Sequence, residues 1–320
     1  MTTTIPTIDP VVYRPFGRTG LRVSPLGFGG APIGSLETDT DAVKAMLTRL
    51  IDHGVNLIDT AHAYYGSEEA IGASIAGRRE DLVLVSKCGS KWNDDDGLPP
   101  AWTPAYVHAT IDRSLQRLRT DRLDVMLLHS CGVDVLERGD VLGAVLEARE
   151  AGKVRFAGYS GDNEAAQWAA RHPEIAVIQT SISVCDQRNI DPLLDLTTAA
   201  GIGVMAKRPI ANAAWKGLDG QYEKYRKYAR PYHERFAAMG LDLDAVQTIL
   251  GAPADWAEIF LRFTLAIPGV HTAIAGMTRV ESAEANLSAV AKGPLPEAAV
   301  TLLRNAFAAA EPKDTWPGLT

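Results

Sequence analysis

Several polar residues with catalytic potential stand at the ends of apolar runs in the sequence. Asp59 ends the run VNLID, Lys87 ends LVLVSK, and His129 ends LDVMLLH. Two adjacent tyrosines, Tyr64 and Tyr65, follow the aspartate by five and six residues. Because a buried carboxylate is costly unless a cation pairs with it, Lys87 is the natural partner of Asp59.

These residue types suit carbonyl reduction or alcohol oxidation. An ammonium beside a phenol lowers the pKa of that phenol from about 10, so a tyrosine there can give a proton to a developing alkoxide at neutral pH. A neutral histidine alongside can donate a hydrogen bond to the carbonyl oxygen. The hydride in such a reaction would come from a nicotinamide cofactor.

Two further polar residues occupy equivalent positions of later apolar runs. Ser160 ends VRFAGYS, and Gln179 lies within AVIQTSI. Taken singly, such residues have structural explanations: Asp59 could cap a helix, Lys87 could lie at the surface, and His129 could be packed in the core. Five polar residues at equivalent positions of successive runs indicate a shared site instead.

The elements that position these residues alternate between strand-type and helix-type sequence. Near-continuous apolar runs are typical of parallel strands that are buried on both faces. The predicted strands are Ser24 to Gly30, Val55 to Ala61, Asp81 to Lys87, Leu123 to His129, Val154 to Ser160, Ala176 to Ile182, Gly201 to Lys207 and Thr272 to Met277. Amphipathic stretches such as TDAVKAMLTRLIDHG and PAYVHATIDRSLQRLRTD lie between them and predict helices.

This alternation predicts an α/β fold, a (β/α)8 TIM barrel, as one domain over residues 1–320. A doubly wound sheet is the competing fold, but GFGGAPIG lacks the G-x-G-x-x-G spacing of a dinucleotide fingerprint. The stretch YRPFGRTGLRVS predicts an N-terminal β-hairpin that closes the bottom of the barrel. A long insertion after strand 7, about Arg208 to Ala257, should shape a substrate pocket, form surface helices over packed tyrosines, or do both.

Composition excludes several classes of protein. The net charge is −7 without a basic block, which argues against nucleic acid or an anionic membrane as a main partner. No apolar run approaches the roughly 18 residues of a membrane span, and the first residues lack a secretory pattern. Cys88, Cys131 and Cys185 form neither a disulfide framework nor a zinc-spacing cluster, although one could line a pocket. We therefore expect a cytoplasmic protein without a metal; its oligomeric state stays open.

Taken together, the motifs resemble those of the aldo-keto reductase superfamily over about Tyr13 to Ala291. The matching stretches are NLIDTAHAYYGSEEAIG, LVLVSK, LDVMLLH, GKVRFAGYS, VIQTSI and AIAGMTRVESAEANL. The resemblance implies a (β/α)8 barrel, NADP(H) bound without a Rossmann fold, and a catalytic tetrad of Asp59, a tyrosine, Lys87 and His129. The family pattern D-T-A-x-x-Y-G-x-S-E selects Tyr64 by its distance from both Asp59 and Ser67. A tyrosine directly before glycine would instead be Tyr65, which we expect to be a pocket wall.

The resemblance also implies a set of cofactor contacts. Ser160 and Gln179 match residues that hold the nicotinamide carboxamide, but Gly161 stands where the family has asparagine, and Asp162 or Asn163 could compensate. Lys207 replaces an aromatic residue that stacks on the nicotinamide; it and Arg208 could approach the pyrophosphate or be surface cations. The remaining residues expected at the cofactor are Gly29, Gly30, Gly276, Thr278, Arg279 and Asn286. Arg279 favours NADP(H), with NAD(H) as the alternative.

For the substrate, the resemblance implies a small carbonyl compound or alcohol. Phe28, Tyr65, Trp92 and Trp215 are the predicted pocket walls, which suits an aldehyde, a ketone or a cyclic alcohol with a hydrophobic body, or a sugar. Two other functions remain open. One is a non-catalytic NADPH-binding regulatory subunit of the same superfamily, and the other is a barrel lyase or aldolase with Lys87 as a Schiff base.

Overall fold

A closed barrel of eight parallel strands forms the centre of the molecule. The computed structural model describes residues 12–36, 38–91, 97–311, 313 and 315–320. The strands are β1 (Arg14–Pro15), β2 (Arg22–Val23), β3 (Leu26–Gly29), β4 (Leu57–Asp59), β5 (Val83–Cys88), β6 (Leu123–His129), β7 (Val154–Ser160), β8 (Ile175–Ser181), β9 (Gly203–Lys207) and β10 (Thr272–Gly276). Strands β3 to β10 pair in chain order, and β10 closes the barrel against β3. The predicted barrel is confirmed, and each of its strands begins and ends within two residues of a predicted one.

Helices follow the strands and cover the outside of the barrel. They are α1 (Ala31–Ser35), α2 (Thr40–Asp52), α3 (Ser67–Ser74), α4 (Pro104–Leu118), α5 (Val133–Arg138), α6 (Asp140–Glu150), α7 (Asn163–Arg171), α8 (Ile190–Ala199), α9 (Glu223–Met239), α10 (Leu243–Leu250), α11 (Trp256–Ala266), α12 (Val280–Ala291) and α13 (Glu297–Ala310). The Asp39 carboxylate caps α2, and the Thr103 hydroxyl caps α4, which begins at a proline. Such caps satisfy amides that have no partner within the helix.

Side-chain alternation along the strands decides which residues enter the barrel. The interior apolar layer includes Leu57, Val85, Leu127 and Val177, which pack in one buried cluster. Asp59, Lys87, His129 and Gln179 each lie two residues beyond a member of this layer. Because the period of a strand is two, all four side chains point inward at the carboxyl-terminal mouth of the barrel.

The amino-terminal hairpin lies at the opposite end of the barrel. β1 and β2 pair antiparallel around a turn, and the ring of Phe16 is fully buried. A Cβ atom on Gly203 would lie 2.7 Å from that ring, so glycine is required where the hairpin enters the barrel. Arg18 also donates hydrogen bonds to the carbonyl oxygens of Ala200 and Ile175. The predicted hairpin is therefore confirmed.

The long insertion after β9 folds into helices. A 3-10 helix covers Ala211–Lys216, and α9 and α10 follow before α11 returns the chain to the barrel. Tyr222 and Tyr228 are exposed, whereas Tyr232 is buried with its hydroxyl 3.3 Å from Asp186 Oδ2. Both features predicted for this stretch, surface helices and a packed tyrosine, are thus present. Among the described residues, no helix is both long enough and apolar enough to cross a membrane.

Candidate active site

A buried ion pair lies at the centre of the barrel mouth. Lys87 Nζ donates to Asp59 Oδ1 at 2.7 Å, to Asp59 Oδ2 at 2.8 Å and to the Thr60 carbonyl oxygen at 2.8 Å. Burial would lower the pKa of Lys87, but the charge of Asp59 and the hydrogen bonds that Lys87 donates to it raise that pKa above its ordinary value. Burial raises the pKa of Asp59, and Lys87 and Gln179 oppose that rise. The expected pairing of Asp59 with Lys87 is present.

Tyr64, and not Tyr65, lies against this pair. Lys87 Nζ is 4.9 Å from the centroid of the Tyr64 ring. The Tyr64 and His129 rings meet edge to face with centroids 5.7 Å apart. The Tyr65 side chain is 63% exposed. Tyr64, the tyrosine selected by its sequence distances from Asp59 and Ser67, therefore lies together with Asp59, Lys87 and His129 in the structure.

The imidazole of His129 is held neutral and oriented. Burial, followed by the charges of Lys87, Lys207 and Arg208, places the pKa of His129 well below its ordinary value. Its Nδ1 lies 3.2 Å from Ser90 Oγ, within hydrogen-bonding distance. A neutral imidazole carries one N–H, so His129 can donate one hydrogen bond to a ligand or to Ser90 according to its tautomer. Ser90 was not among the predicted site residues.

Close backbone packing holds the loop that carries Tyr64. Ser67 Oγ lies 2.8 Å from Thr60 Oγ1 and donates to the Gly30 carbonyl oxygen at 3.0 Å. A Cβ atom on Gly30 would lie 2.6 Å from that hydroxyl, and one on Gly34 would lie 1.7 Å from the Tyr65 carbonyl oxygen. Both glycines are therefore needed for close approach between this loop and the segment after β3.

A chain of hydrogen bonds runs from Ser160 through Gln179 to Asp59 of the ion pair. Ser160 Oγ donates to Gln179 Oε1 at 2.9 Å, and Gln179 Nε2 donates to Asp59 Oδ1 at 2.8 Å. The strand register places His129 beside Ser160 and Ser160 beside Gln179. The polar side chains of Asp59, His129, Ser160 and Gln179 therefore lie at the same depth in the mouth of the barrel.

The absence of a side chain at position 161 has a steric cause. A Cβ atom on Gly161 would lie 2.3 Å from Tyr159 Oη. That hydroxyl is buried and donates to the Cys131 carbonyl oxygen at 2.7 Å. The tyrosine therefore occupies the space that an asparagine at position 161 would need.

Asp162 is committed to structural contacts within the mouth. Its Oδ1 accepts hydrogen bonds from Thr180 Oγ1, the Ser181 amide and Asn189, and Lys207 Nζ lies 2.9 Å from its Oδ2. Burial acts to raise the pKa of Asp162, but the charge of Lys207 and these hydrogen bonds bring it below its ordinary value. The side chain makes no cap bond to α7. Asp162 therefore does not cap α7 through its side chain.

Lys207 and Arg208 are held inside the mouth and are not ordinary surface cations. Lys207 pairs with Asp162, and burial lowers the pKa of Lys207. Arg208 donates to the Leu319 carbonyl oxygen and to Ser181 Oγ. Their charges act on His129, so both lie close enough to influence the catalytic groups.

The segment Thr315–Thr320 crosses one side of the mouth and was not anticipated from the sequence. Side chains bind its backbone at successive residues: Arg188 donates to the Trp316 carbonyl, and Arg235 donates to the Pro317 carbonyl. Asn163 binds both the N–H and the C=O of Gly318. Asn163 is thus engaged by this segment, and nothing in the sequence of Thr315–Thr320 signals that role.

The residues predicted to meet the adenosine half of the cofactor lie at the end of β10 and on α12. Arg279 is exposed at the N-terminal cap position of α12 and makes no side-chain cap bond there. Thr278 is half-buried, and the amide of Asn286 is 8% exposed. The uncapped amides of this helix and the Arg279 guanidinium form a cationic end that suits a phosphate group.

The residues predicted to form pocket walls differ in where the structure places them. Phe28 is fully buried and packs with the helices outside the barrel, because strand alternation places Gly27 and Gly29 on the interior face. The prediction that Phe28 lines the pocket was therefore wrong. Trp215 is half-buried with its ring 5.2 Å from that of Phe260, and Trp92 lies outside the described residues.

The three cysteines are buried away from any pocket. Cys88, Cys131 and Cys185 are at most 5% exposed, and burial raises the pKa of each thiol, that of Cys131 to about 12. Cys88 and Cys131 pack in one buried apolar cluster and Cys185 packs in another, so the expectation that one of them lines a pocket was wrong. Within the described part of the chain, no cluster of histidine, cysteine and carboxylate side chains could hold a metal.

Comparison with known proteins places these features in context. The model of the Aldo/keto reductase family matches residues 25–307. An uncharacterized oxidoreductase, YqkF of Bacillus subtilis (strain 168), is 28% identical over 302 residues, which cover 91% of this chain and 95% of that protein. A probable voltage-gated potassium channel subunit beta of Arabidopsis thaliana is 27% identical, covering 88% of this chain and 92% of the relative. The solved structure of aldo-keto reductase AKR11C1 from Bacillus halodurans, in its holo form, superposes with a TM-score of 0.75 at 26% identity, covering 92% of this chain and 96% of that chain.

Proposed function

This chain belongs to the aldo/keto reductase family, and on that premise we propose that it is an NADP(H)-dependent oxidoreductase that interconverts a carbonyl compound and an alcohol. Tyr64 is its general acid and base. The observation that carries the proposal is the contact of Tyr64 with the Lys87 ammonium, 4.9 Å from the ring centroid, beside the neutral imidazole of His129. We further propose that residues 1–320 act as a single cytoplasmic barrel domain on a small molecule.

Each residue of the tetrad has a defined task in this mechanism. Tyr64 lies beside the Lys87 ammonium, and its Oη gives a proton to a developing alkoxide and takes it back in the oxidative direction. Asp59 holds Lys87 in its charged form. His129 donates a hydrogen bond to the substrate oxygen and orients it. A bound nicotinamide supplies or accepts the hydride.

The donors and acceptors of the mouth fit a dinucleotide. The Ser160 hydroxyl and the Gln179 amide match a carboxamide, and Asn286 offers an amide for the adenine. Lys207 and Arg208 would approach the pyrophosphate once they leave Asp162 and the segment Thr315–Thr320. Gly29, Gly30, Gly276 and Thr278 line the path between these two ends.

Arg279 is the residue that favours NADP(H) over NAD(H). Its guanidinium can bind the 2′-phosphate through two hydrogen bonds, and the uncapped amides of α12 add to the attraction. Replacement of Arg279 by methionine should weaken NADPH binding by about tenfold or more, since a hydrogen bond to a charged group contributes about 1.5–3 kcal/mol. NADH binding should change little; equal weakening of both would contradict this assignment.

The substrate is a carbonyl compound or alcohol whose body packs on aromatic walls. Tyr65 and Trp215 remain the wall candidates within the described residues, and the insertion that carries Trp215 borders the mouth at Arg208. Aromatic faces of this kind accept an apolar body or a sugar ring.

A second candidate is a regulatory subunit that binds NADPH without turnover. The relative described as a probable potassium channel subunit beta favours this candidate. The intact Asp59–Lys87–Tyr64–His129 arrangement is expected of both candidates, so turnover of a carbonyl compound is what separates the enzyme from the regulatory subunit. The same arrangement disfavours the lyase or aldolase, in which Lys87 would have to be an uncharged amine.

The direct test is fluorescence titration with NADPH, followed by NADPH oxidation with a panel of aromatic aldehydes, ketones and sugars. Binding together with turnover of at least one carbonyl compound is the expected result. Saturable NADPH binding with no turnover over the whole panel would favour the regulatory subunit. Failure to bind either NADPH or NADH would overturn the proposal.

A further inference from the structure

We propose that Gln179 is a positioning residue that keeps the buried Asp59–Lys87 pair ionised, in addition to any contact with a cofactor. Gln179 Nε2 donates to Asp59 Oδ1 at 2.8 Å, and both residues are at least 96% buried. The two residues stand on opposite sides of the barrel, because β4 and β8 are separated by three strands in either direction. The glutamine amide thus spans the interior to reach the carboxylate.

A buried ion pair needs such support. Desolvation disfavours both charges, and moving one proton from Lys87 Nζ to Asp59 would replace the ion pair with a neutral amine and a neutral carboxylic acid. A hydrogen bond donated to the carboxylate favours its charged form. Lys87 supplies two such bonds, and Gln179 supplies a third from an amide, which does not ionise near neutral pH.

The Asp59 carboxylate selects the orientation of the glutamine amide, and the other end of that amide meets a hydroxyl. Ser160 Oγ donates to Gln179 Oε1 at 2.9 Å, so the amide oxygen faces the hydroxyl and the nitrogen faces Asp59. A reversed amide would set its oxygen against the carboxylate. The amide nitrogen carries two hydrogens, so the same group can serve Asp59 and a ligand together.

Other charges around the pair do not replace this contact. The groups that face Asp59, Lys87 and Tyr64 are His129 from β6, Asp162 after β7, and Lys207 and Arg208 from the end of β9. Lys207 is itself paired with Asp162 at 2.9 Å, and His129 is neutral. Gln179 is therefore the neighbour that bonds to Asp59 directly without bringing a charge of its own.

This inference rests on the proposed function for its kinetic consequence, because Lys87 must stay charged for Tyr64 to act as an acid. In Gln179→Met, which keeps the length of the side chain but removes the donor, Asp59 should take the proton. The alkaline midpoint of kcat/KM should then rise by about one pH unit, equivalent to a tenfold change in a proton equilibrium.

Ser160→Ala is the matched control. It removes a predicted carboxamide contact, as Gln179→Met does, but leaves the donor to Asp59 in place. Both variants should weaken NADPH binding to a similar degree, and only Gln179→Met should move the alkaline midpoint. An unmoved midpoint in Gln179→Met, or an equal shift in Ser160→Ala, would overturn the proposal.

Infrared difference spectroscopy of the protein without cofactor gives a readout that needs no activity. A protonated-carboxyl band at pH 7 that disappears in the Asp59→Asn background should be present in Gln179→Met and Gln179→Glu and absent from the wild type and Ser160→Ala. Absence of that band from both Gln179 variants would overturn the proposal. If the wild type neither binds nor oxidises NADPH, the proposed function fails while this measurement still decides the role of Gln179.

Discussion

The Lys87 ammonium lies 4.9 Å from the centroid of the Tyr64 ring, whereas the adjacent Tyr65 ring points outward and is 63% exposed. The Tyr65 carbonyl oxygen packs closely against Gly34, which fixes the backbone of the loop at this point. Two neighbouring residues of the same type thereby receive different environments. The contact with Lys87 is the reason we propose Tyr64, and not Tyr65, for proton transfer.

Loss of the Lys87 charge should destabilise the fold as well as the site. In Lys87→Met, the carboxylate of Asp59 keeps its burial but loses its cation, which costs about 3–5 kcal/mol when one partner of a buried pair is removed. Urea unfolding at pH 7 measures this change. Lys91→Met, at an exposed position of the following loop, is the control and should stay within about 0.5 kcal/mol of the wild type. A loss below about 1 kcal/mol in Lys87→Met would mean that the pair is not charged in the folded protein.

A methyl group on Gly34 should displace the loop that carries Tyr64. Its Cβ would lie 1.7 Å from the Tyr65 carbonyl oxygen, a distance that backbone movement alone can relieve. We expect kcat/KM for Gly34→Ala to fall at least tenfold, because small misplacements of a catalytic group are costly.

Gly143→Ala is the matched control for that variant. Gly143 lies within α6, and a Cβ atom there would meet nothing within 4 Å. This change should leave kcat/KM unaltered and stabilise the protein by about 0.5–1 kcal/mol, the helix preference of alanine over glycine. Activity of Gly34→Ala equal to that of the control would show that the Gly34–Tyr65 contact does not position Tyr64.

The buried carboxyl of Asp186 should make stability depend on pH. Burial, and then the charge of Asp162, raise the pKa of Asp186 to about 7, although the Leu319 amide and Arg235 oppose the rise. Because the folded state binds this proton more tightly than the unfolded state, the stabilisation is fully present below about pH 4 and is lost as the pH rises through about 7. The full change is at most about 4 kcal/mol.

Chemical unfolding from pH 4 to pH 8 of the wild type and Asp186→Asn measures this contribution. The difference in unfolding free energy between the two proteins should shift in favour of the variant as the pH rises. A difference that is constant over this interval would show that Asp186 has an ordinary pKa in the folded protein.

The barrel fold could be predicted from the sequence because the apolar runs indicate buried strands and the glycines after the amphipathic stretches indicate helix ends. The convergence of Asp59, Lys87 and His129 could also be predicted. The carboxyl ends of all barrel strands meet at one mouth, so residues far apart in the sequence are expected to lie close together there. Phe28 was assigned to the wrong side because its two flanking glycines give no apolar alternation from which the inward face could be read.

Other parts of the site could not be predicted, for physical reasons. The packing of the segment Thr315–Thr320 depends on side chains far away in the sequence, such as Asn163 and Arg235, that bind backbone groups. Backbone groups carry no residue-specific signal. The bond between Gln179 and Asp59 likewise crosses the barrel, and its 2.8 Å separation depends on the width of the closed sheet.

The most direct test of the central claim compares Tyr64→Phe with Tyr65→Phe in NADPH-dependent reduction of the best carbonyl substrate of the panel. Each variant loses one phenolic hydroxyl, and the NADPH dissociation constant of each serves as a check that the site is intact. We predict that kcat/KM falls at least about 100-fold in Tyr64→Phe, as expected for loss of a general acid, and stays within about threefold of the wild type in Tyr65→Phe. Activity retained by Tyr64→Phe and lost in Tyr65→Phe would contradict the assignment of Tyr64 as the proton donor.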